Sequence, residues 1–118
     1  ASLSEFVIIS GLTKYNGTIF INYTEKDGLV SDQTKTVIED SEGVIWIGTQ
    51  HGVSAYNGIE FTNFTEKEGM SNRQVWCLEE HQDGGILVGT SDGIDLIKDG
   101  SVTSYFKFDS TSEYGNTF

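Results

Sequence analysis

The side chains in this sequence that could do chemistry are few and scattered. His51 and His81 fall in different loops, with no second His or Cys at the spacing that closes a zinc site, so both read as solvated loop histidines. Asp40, Glu42, Asp83, Asp92, Asp95 and Asp99 supply carboxylates, but none stands in a D-x-[DN]-x-[DN]-G frame with a closing Glu, which leaves ordinary acidic turns as the reading instead of calcium loops. Ser54 and Ser71 lack the strand-to-helix elbow that exposes a nucleophilic serine. Cys77 stands beside Trp76 in a strand-like run and aligns with Val37 of another copy of the same pattern. It is expected to be a small buried hydrophobe whose burial suppresses thiolate chemistry. A lyase or hydrolase would need an acid and a base converging on one point, and no pair proposes itself. The sequence therefore predicts no catalytic residue, no cofactor and no metal site, and the chain is expected not to be an enzyme. Arg73 is a rare positive charge in an acidic chain, either a contact for a polar or anionic ligand or a surface residue near Glu68.

The elements that position these groups come from a repeat of about 41 residues. Tyr15-Asn16-Gly17 recurs as Tyr56-Asn57-Gly58, and Phe20, Asn22, Tyr23, Thr24, Glu25, Lys26 and Gly28 recur as Phe61, Asn63, Phe64, Thr65, Glu66, Lys67 and Gly69. Ser31 then aligns with Ser71 and Glu39 with Glu79, one residue closer, and an extra residue near Asp83 restores the spacing. Beyond it, Ile45-Trp46-Ile47-Gly48-Thr49 matches Ile86-Leu87-Val88-Gly89-Thr90. The expected organisation is one propeller segment over 1–118: a partial blade at 1–14, repeat units at 15–55 and 56–98, and the start of a further unit with a tail at 99–118.

Each unit holds four short strand candidates, in the second copy 59–64, 74–79, 85–89 and 93–97, separated by turn-forming clusters. No segment keeps an apolar helical period. Four antiparallel strands per unit is the period of a propeller blade, so the fold class is all-β, a partial β-propeller of about two to three four-stranded antiparallel blades. Asp40-Ser41-Glu42-Gly43 and His81-Gln82-Asp83-Gly84 read as hairpin turns ending in a left-handed glycine. Trp46, Phe20, Phe61, Tyr23 and Phe64 are expected to fill the wedge between blades. Gly48 and Gly89, inside strands, are expected to admit a neighbouring backbone or ring.

Composition narrows the partners. The 118 residues include 14 Gly and no Pro, and 7 Lys plus Arg against 18 Asp plus Glu give a net charge of −11. That field repels phosphate backbones, so nucleic acid is not an expected partner. No run of about 18 apolar residues predicts a membrane-spanning helix, and no membrane contact is expected within the segment. Ala1–Ser10 has neither the basic start nor the unbroken apolar stretch of a signal peptide. Asn16-Gly17-Thr18, Asn22-Tyr23-Thr24 and Asn63-Phe64-Thr65 fit the glycosylation pattern, but repetition accounts for them.

Gly28-Leu29-Val30-Ser31-Asp32, Val37-Ile38-Glu39-Asp40, Gly43-Val44-Ile45-Trp46-Ile47-Gly48-Thr49, Gly52-Val53 and Tyr56-Asn57-Gly58 together resemble the two-component regulator propeller repeat, found in sensor regions of bacterial hybrid histidine kinases. The second copy keeps most of this, with Leu87 in place of the Trp and Ile97-Lys98-Asp99-Gly100 in place of the Tyr-Asn-Gly corner. The resemblance implies a periplasmic, ligand-sensing module of a signalling receptor, often responsive to a small molecule or oligosaccharide. The other reading is a structural or protein-interaction propeller without such a ligand.

Strand alternation places the ligand entrance. The loop before the innermost strand and the loop after the second strand open on one face. Those loops carry Asp32, Gln33, Gln50 and His51 in one blade and Asn72, Arg73, Ser91 and Asp92 in the next, the expected ligand-binding residues. About eleven strands cannot close a ring of four to eight blades, so the chain is expected to join the rest of a longer propeller, or to self-associate through its terminal blades.

Overall fold

Short runs of β-branched and aromatic residues, broken every few positions by Gly, Asn or Asp, become strands because such side chains pack well on a pleated surface. The computed structural model describes residues 5–9, 11–15 and 20–108. Its strands are β1 (Glu5–Ile9), β2 (Gly11–Tyr15), β3 (Phe20–Tyr23), β4 (Thr34–Glu39), β5 (Ile45–Thr49), β6 (Gly52–Tyr56), β7 (Phe61–Phe64), β8 (Val75–Glu80), β9 (Ile86–Thr90), β10 (Gly93–Lys98) and β11 (Ser101–Lys107). They form one three-stranded sheet, β1-β2-β3, and two four-stranded sheets, β4-β5-β6-β7 and β8-β9-β10-β11, every pairing antiparallel. The all-β partial propeller read from the sequence is therefore present. The Asn16-Gly17 corner, residues 1–4 of the partial blade, the ring of Phe20 and the 109–118 tail lie outside the described residues. A sheet begins at β4 or β8 and takes its fourth strand from beyond the next Tyr-Asn-Gly or Lys-Asp-Gly corner, so the sheets divide the chain at a different phase from the sequence repeat.

The turns form as their residues require. Gly43 and Gly84 close the β4–β5 and β8–β9 hairpins at φ 84° and 94°. Asp40 Oδ1 accepts from the backbone N–H of Glu42 (2.9 Å) and of Val44 (2.9 Å), and His81 Nδ1 accepts from Asp83 N–H (3.2 Å). The segment between β7 and β8 is not plain loop. Thr65 caps a single 3₁₀ turn, Glu66–Glu68, as Thr24 caps Glu25–Asp27, each closed by a reciprocal capping box. The Thr65 hydroxyl and then its N–H, both donating to Glu68, hold that carboxyl below the usual carboxylate range.

Pairing corrects the repeat alignment. Thr34 and Val75 both stand opposite the strand-end threonine, Thr49 or Thr90, while Thr36 stands opposite Gly48 and Cys77 opposite Gly89. Glu39 thus corresponds to Glu80 instead of Glu79, Val37 to Leu78 instead of Cys77, and no residue is inserted near Asp83. The spacing of 41 holds throughout, Ser31 corresponding to Asn72 instead of Ser71 as the Gln33 and Gln74 N–H bonds to those side chains show, and both copies carry a β-bulge at the same place, Lys35 and Trp76. Cys77 thus corresponds to Thr36, which packs beside Val75 of the next sheet; no described residue covers Cys77 in the same way, and it is exposed, not buried. The in-strand glycines admit side chains instead of a ring or a backbone. A Cβ at Gly48 would stand 2.7 Å from both Thr36 Cγ2 and Val75 Cγ1, and one at Gly89 2.5 Å from Cys77 Sγ.

Two apolar layers join the sheets. Leu29, Ile45 and Ile47, with Tyr23, Val37, Tyr56 and Phe61, form one layer against β3. Val53, Phe64, Met70, Val75, Leu78, Ile86, Val88 and Ile97, with Ile38 and Trp46, form the second, between the two four-stranded sheets. Val53, Val75 and Val88 are wholly buried, each worth about 1.5–3 kcal/mol relative to exposure. The wedge aromatics behave as expected at Phe64, which is buried, whereas Tyr23, Phe61 and Trp46 are half-buried. The sheets converge where β8 packs on β4 and β5, and β4 on β1.

Candidate functional site

The eight loop residues expected to bind a ligand do emerge at one end of the strands, and most are tied into their own loops. Gln50 N–H donates to the Gln33 carbonyl (3.1 Å), which ties the two loops of the β4–β7 blade together. Asp32 is engaged locally, accepting from Glu25 N–H (2.8 Å) while its own N–H donates to Glu25 Oε2 (3.0 Å). His51 is exposed and its N–H donates to Thr49 Oγ1 (2.9 Å). In the next blade Asn72 Nδ2 donates to Asp92 Oδ2 (3.1 Å), and Asn72 Oδ1 accepts from Gln74 N–H (2.8 Å). Arg73 is exposed and has no hydrogen bond or ion pair among the described residues.

Two residues outside the expected set complete this end. The bulge residue Trp76 is 52 % exposed on the strand that begins the sheet. Its indole N–H donates to Ser91 Oγ (3.0 Å), so Ser91 orients the ring. Lys35, the bulge residue one repeat earlier, places its ammonium 4.6 Å from the centre of that ring, a cation–π contact. Of the predicted residues Ser91 bonds directly to this aromatic platform, which was not predicted, and Asn72, Arg73 and Asp92 stand in the same two loops. The sequence sign for it was one large aromatic, Trp76, standing where the preceding repeat has Lys35.

The scaffold beneath is stiff. Thr90 Oγ1 donates to the Gly93 carbonyl (3.1 Å) and accepts from Asp92 N–H (3.2 Å), as Thr49 does with Gly52 and His51, so the second hairpin of each blade is cross-braced by a buried hydroxyl. Asp95, wholly buried, accepts from Ser71 N–H (2.8 Å) and Ser71 Oγ (2.6 Å), which moors the loop carrying Asn72 and Arg73. Among the described residues no three His, Cys, Asp or Glu side chains gather in a way that would hold a metal ion. Chemically, the platform offers a flat aromatic face with one ammonium against it and hydrogen-bonding side chains in the adjoining loops, a set suited to holding a polar molecule by stacking and hydrogen bonds.

Residues 28–51 match the family model of the two component regulator propeller, the repeat that the sequence resembles. Among solved structures the chain is similar to the extracellular domain of a putative hybrid two component system from B. thetaiotaomicron. The TM-score is 0.75 at 18% identity, and the match covers 89% of this chain and 17% of that one. The likeness shows the propeller fold, and the chain spans about a sixth of that domain's length. No curated protein matches the chain. Among the described residues no helix is long and apolar enough to cross a membrane.

Proposed function

We propose that this chain is a segment of the extracytoplasmic, ligand-sensing propeller of a bacterial two-component type signalling receptor, and that it binds and does not catalyse. The observation that carries this reading is the exposed Trp76 platform, an aromatic ring held by Ser91 and Lys35 at the end of the blades where the loop residues Asn72, Arg73 and Asp92 collect. A buried core gains nothing from leaving an indole half open, whereas a ring face bordered by donors and acceptors suits a sugar or another polar small molecule. The match of residues 28–51 to the two component regulator propeller supports the signalling context. Localisation outside the cytoplasm follows from the same context and from the similar extracellular domain. In the gene, the reading frame is expected to carry a membrane span and a kinase domain.

The test is a thermal-shift screen against neutral and acidic oligosaccharides, with Trp76→Ala as the paired protein. A ligand at about 100 times its dissociation constant adds about 2.7 kcal/mol, on the order of 10 °C for a domain of this size. The Trp76→Ala protein should melt like the parent without ligand and lose the shift. A shift retained in Trp76→Ala would remove the platform from the reading.

The side of the β8–β11 sheet that no described residue covers favours a second role, in assembly. Cys77, Glu79, Leu87, Gly89 and Ile94 line an open groove of about 250 Å³ there. They stand one repeat on from Thr36, Ile38, Trp46, Gly48 and Val53, which the β8–β11 sheet covers. That side is shaped to take another blade, from the rest of a longer propeller or from a second copy.

A further inference from the structure

The two inter-sheet layers are not filled alike. In the first, Tyr23, Tyr56 and Phe61 stack three rings together, with centroids 5.1 Å (Tyr23–Tyr56), 5.9 Å (Tyr23–Phe61) and 4.6 Å (Tyr56–Phe61) apart. One repeat on, the corresponding residues are Phe64, Ile97 and Val102, so two rings are lost. Val44 is likewise replaced by Gly85, and the four-residue corner Asn57–Glu60 by the two-residue turn Asp99-Gly100. Phe64 does not fill the gap, because its ring lies against Trp46 (6.0 Å, 26°). The result is a cleft of about 250 Å³ between the β4–β7 and β8–β11 sheets, at the end of the strands opposite Trp76.

The cleft is held open from both sides. Glu80 spans the sheets, accepting from Ser41 N–H (3.0 and 3.1 Å) and Ser41 Oγ (2.6 Å). The Gly85 carbonyl accepts from His81 N–H (2.9 Å), which keeps the facing hairpin from sagging inward. Trp46, Ile86 and Ile97 supply apolar wall. The Trp46 indole N–H is already donated to Asp40 Oδ2 (2.8 Å), so the indole offers its ring and not its donor. Around the wall stand the carboxylates of Asp40, Glu42, Glu80 and Asp99 against one ammonium, Lys98, which donates to the Asp83 carbonyl (3.1 Å).

We propose that this inter-blade cleft binds a small organic cation, an ammonium or guanidinium group on an apolar stem. The stem occupies the volume of the missing rings. The head group meets the carboxylates and the indole, both of which favour positive charge over a neutral or anionic group. The carboxylates do not gather as metal ligands, which selects an organic cation over a metal ion.

The test uses n-butylguanidine and its neutral isostere N-butylurea, titrated into Trp76→Phe protein so that Trp46 alone reports by fluorescence. Saturable binding of butylguanidine, roughly tenfold or more tighter than butylurea, is expected. Ile97→Tyr, which restores the ring that Tyr56 supplies in the preceding repeat, should abolish it. Glu42→Gln combined with Asp99→Asn, both at exposed positions, neither part of the Glu80–Ser41 bridge, and with Asn tolerant of the left-handed Asp99 backbone, should weaken it several-fold with an unchanged melt. The inference is overturned by no saturable binding, by equal affinity for the neutral isostere, or by indifference to the Glu42/Asp99 pair. Because the reporter is Trp46 and the proposed sensing platform is Trp76, failure here leaves the sensing reading standing.

Discussion

Asp95 is the side chain on which the docking of a whole loop rests. It is wholly buried on β10, and its two oxygens accept from Ser71 N–H at 2.8 Å and Ser71 Oγ at 2.6 Å. One residue before Ser71, Met70 is 4% exposed within the inter-sheet layer, so the bonds to Ser71 seat that side chain too. The preceding repeat solves the same problem through a relay: Val30 N–H donates to Ser54 Oγ (2.9 Å), Ser54 to Asn63 Oδ1 (2.6 Å), and Asn63 Nδ2 to the Gly28 carbonyl (2.9 Å). Asp95→Ala deletes two hydrogen bonds to a charged acceptor, each worth about 1.5–3 kcal/mol. Ser71 is only half-buried, so water recovers part of the loss and the low end applies, about 3 kcal/mol in all. Asp95→Ser can accept from Ser71 N–H as Ser54 does from Val30, but Ser104 stands opposite it in place of an asparagine, so about half the loss should remain. Urea unfolding followed by tryptophan fluorescence measures this through the midpoint, with the m-value held constant. If Asp95→Ala lies within about 0.5 kcal/mol of the parent, like an ordinary surface change, the carboxylate does not moor the loop and the reasoning fails.

Tyr23 gives a pH dependence. Burial, and then its hydrogen bond to Tyr56, push its phenol from 10.0 up to about 12. The folded state therefore keeps this proton longer than the unfolded one, and the contribution is complete below pH 10 and lost as pH rises through about 12. Tyr23→Phe should flatten the alkaline limb of a stability curve over that window, and an unchanged limb would contradict the assignment. At dilutions where the chain is monomeric, Cys77 should react with a thiol reagent at a rate near that of the unfolded chain, because it is exposed on the open side of the β8–β11 sheet, and should become protected as the chain self-associates; protection of the monomer until denaturant is added would restore the buried reading. The open side of the β8–β11 sheet should drive self-association of the isolated chain. Light scattering across a dilution series checks it, and a strictly monomeric species with a cooperative melt at every concentration would count against it.

Much of the fold was legible because a propeller repeat states its rules locally and twice. The Gly43 and Gly84 turns, the Asn57 corner and the strand cores at Ile45–Thr49 and Ile86–Thr90 depend on neighbours within a few residues, so residue type alone announces them. The capping boxes at Thr24 and Thr65 were equally local, with an acidic residue three positions on, and their repetition within the aligned T-E-K segments concealed them as mere conservation of pattern. What local pattern could not supply was the bulge. Whether Cys77 takes the place of Val37 or of Thr36 depends on which residue of β8 stands opposite Gly89 of β9, a long-range choice of register. A one-residue error there buries the cysteine on paper and hides the one exposed tryptophan of the candidate site. The inter-blade cleft shows the converse. Ile97-Lys98-Asp99-Gly100 was visible as a departure from Tyr-Asn-Gly, but its meaning required knowing that Tyr56 fills a wedge together with Tyr23 and Phe61 from two other strands. Since repetition already accounts for the scaffold, the positions where the second copy breaks it, Gly85 and Ile97 above all, are where binding chemistry has room to be particular to this chain.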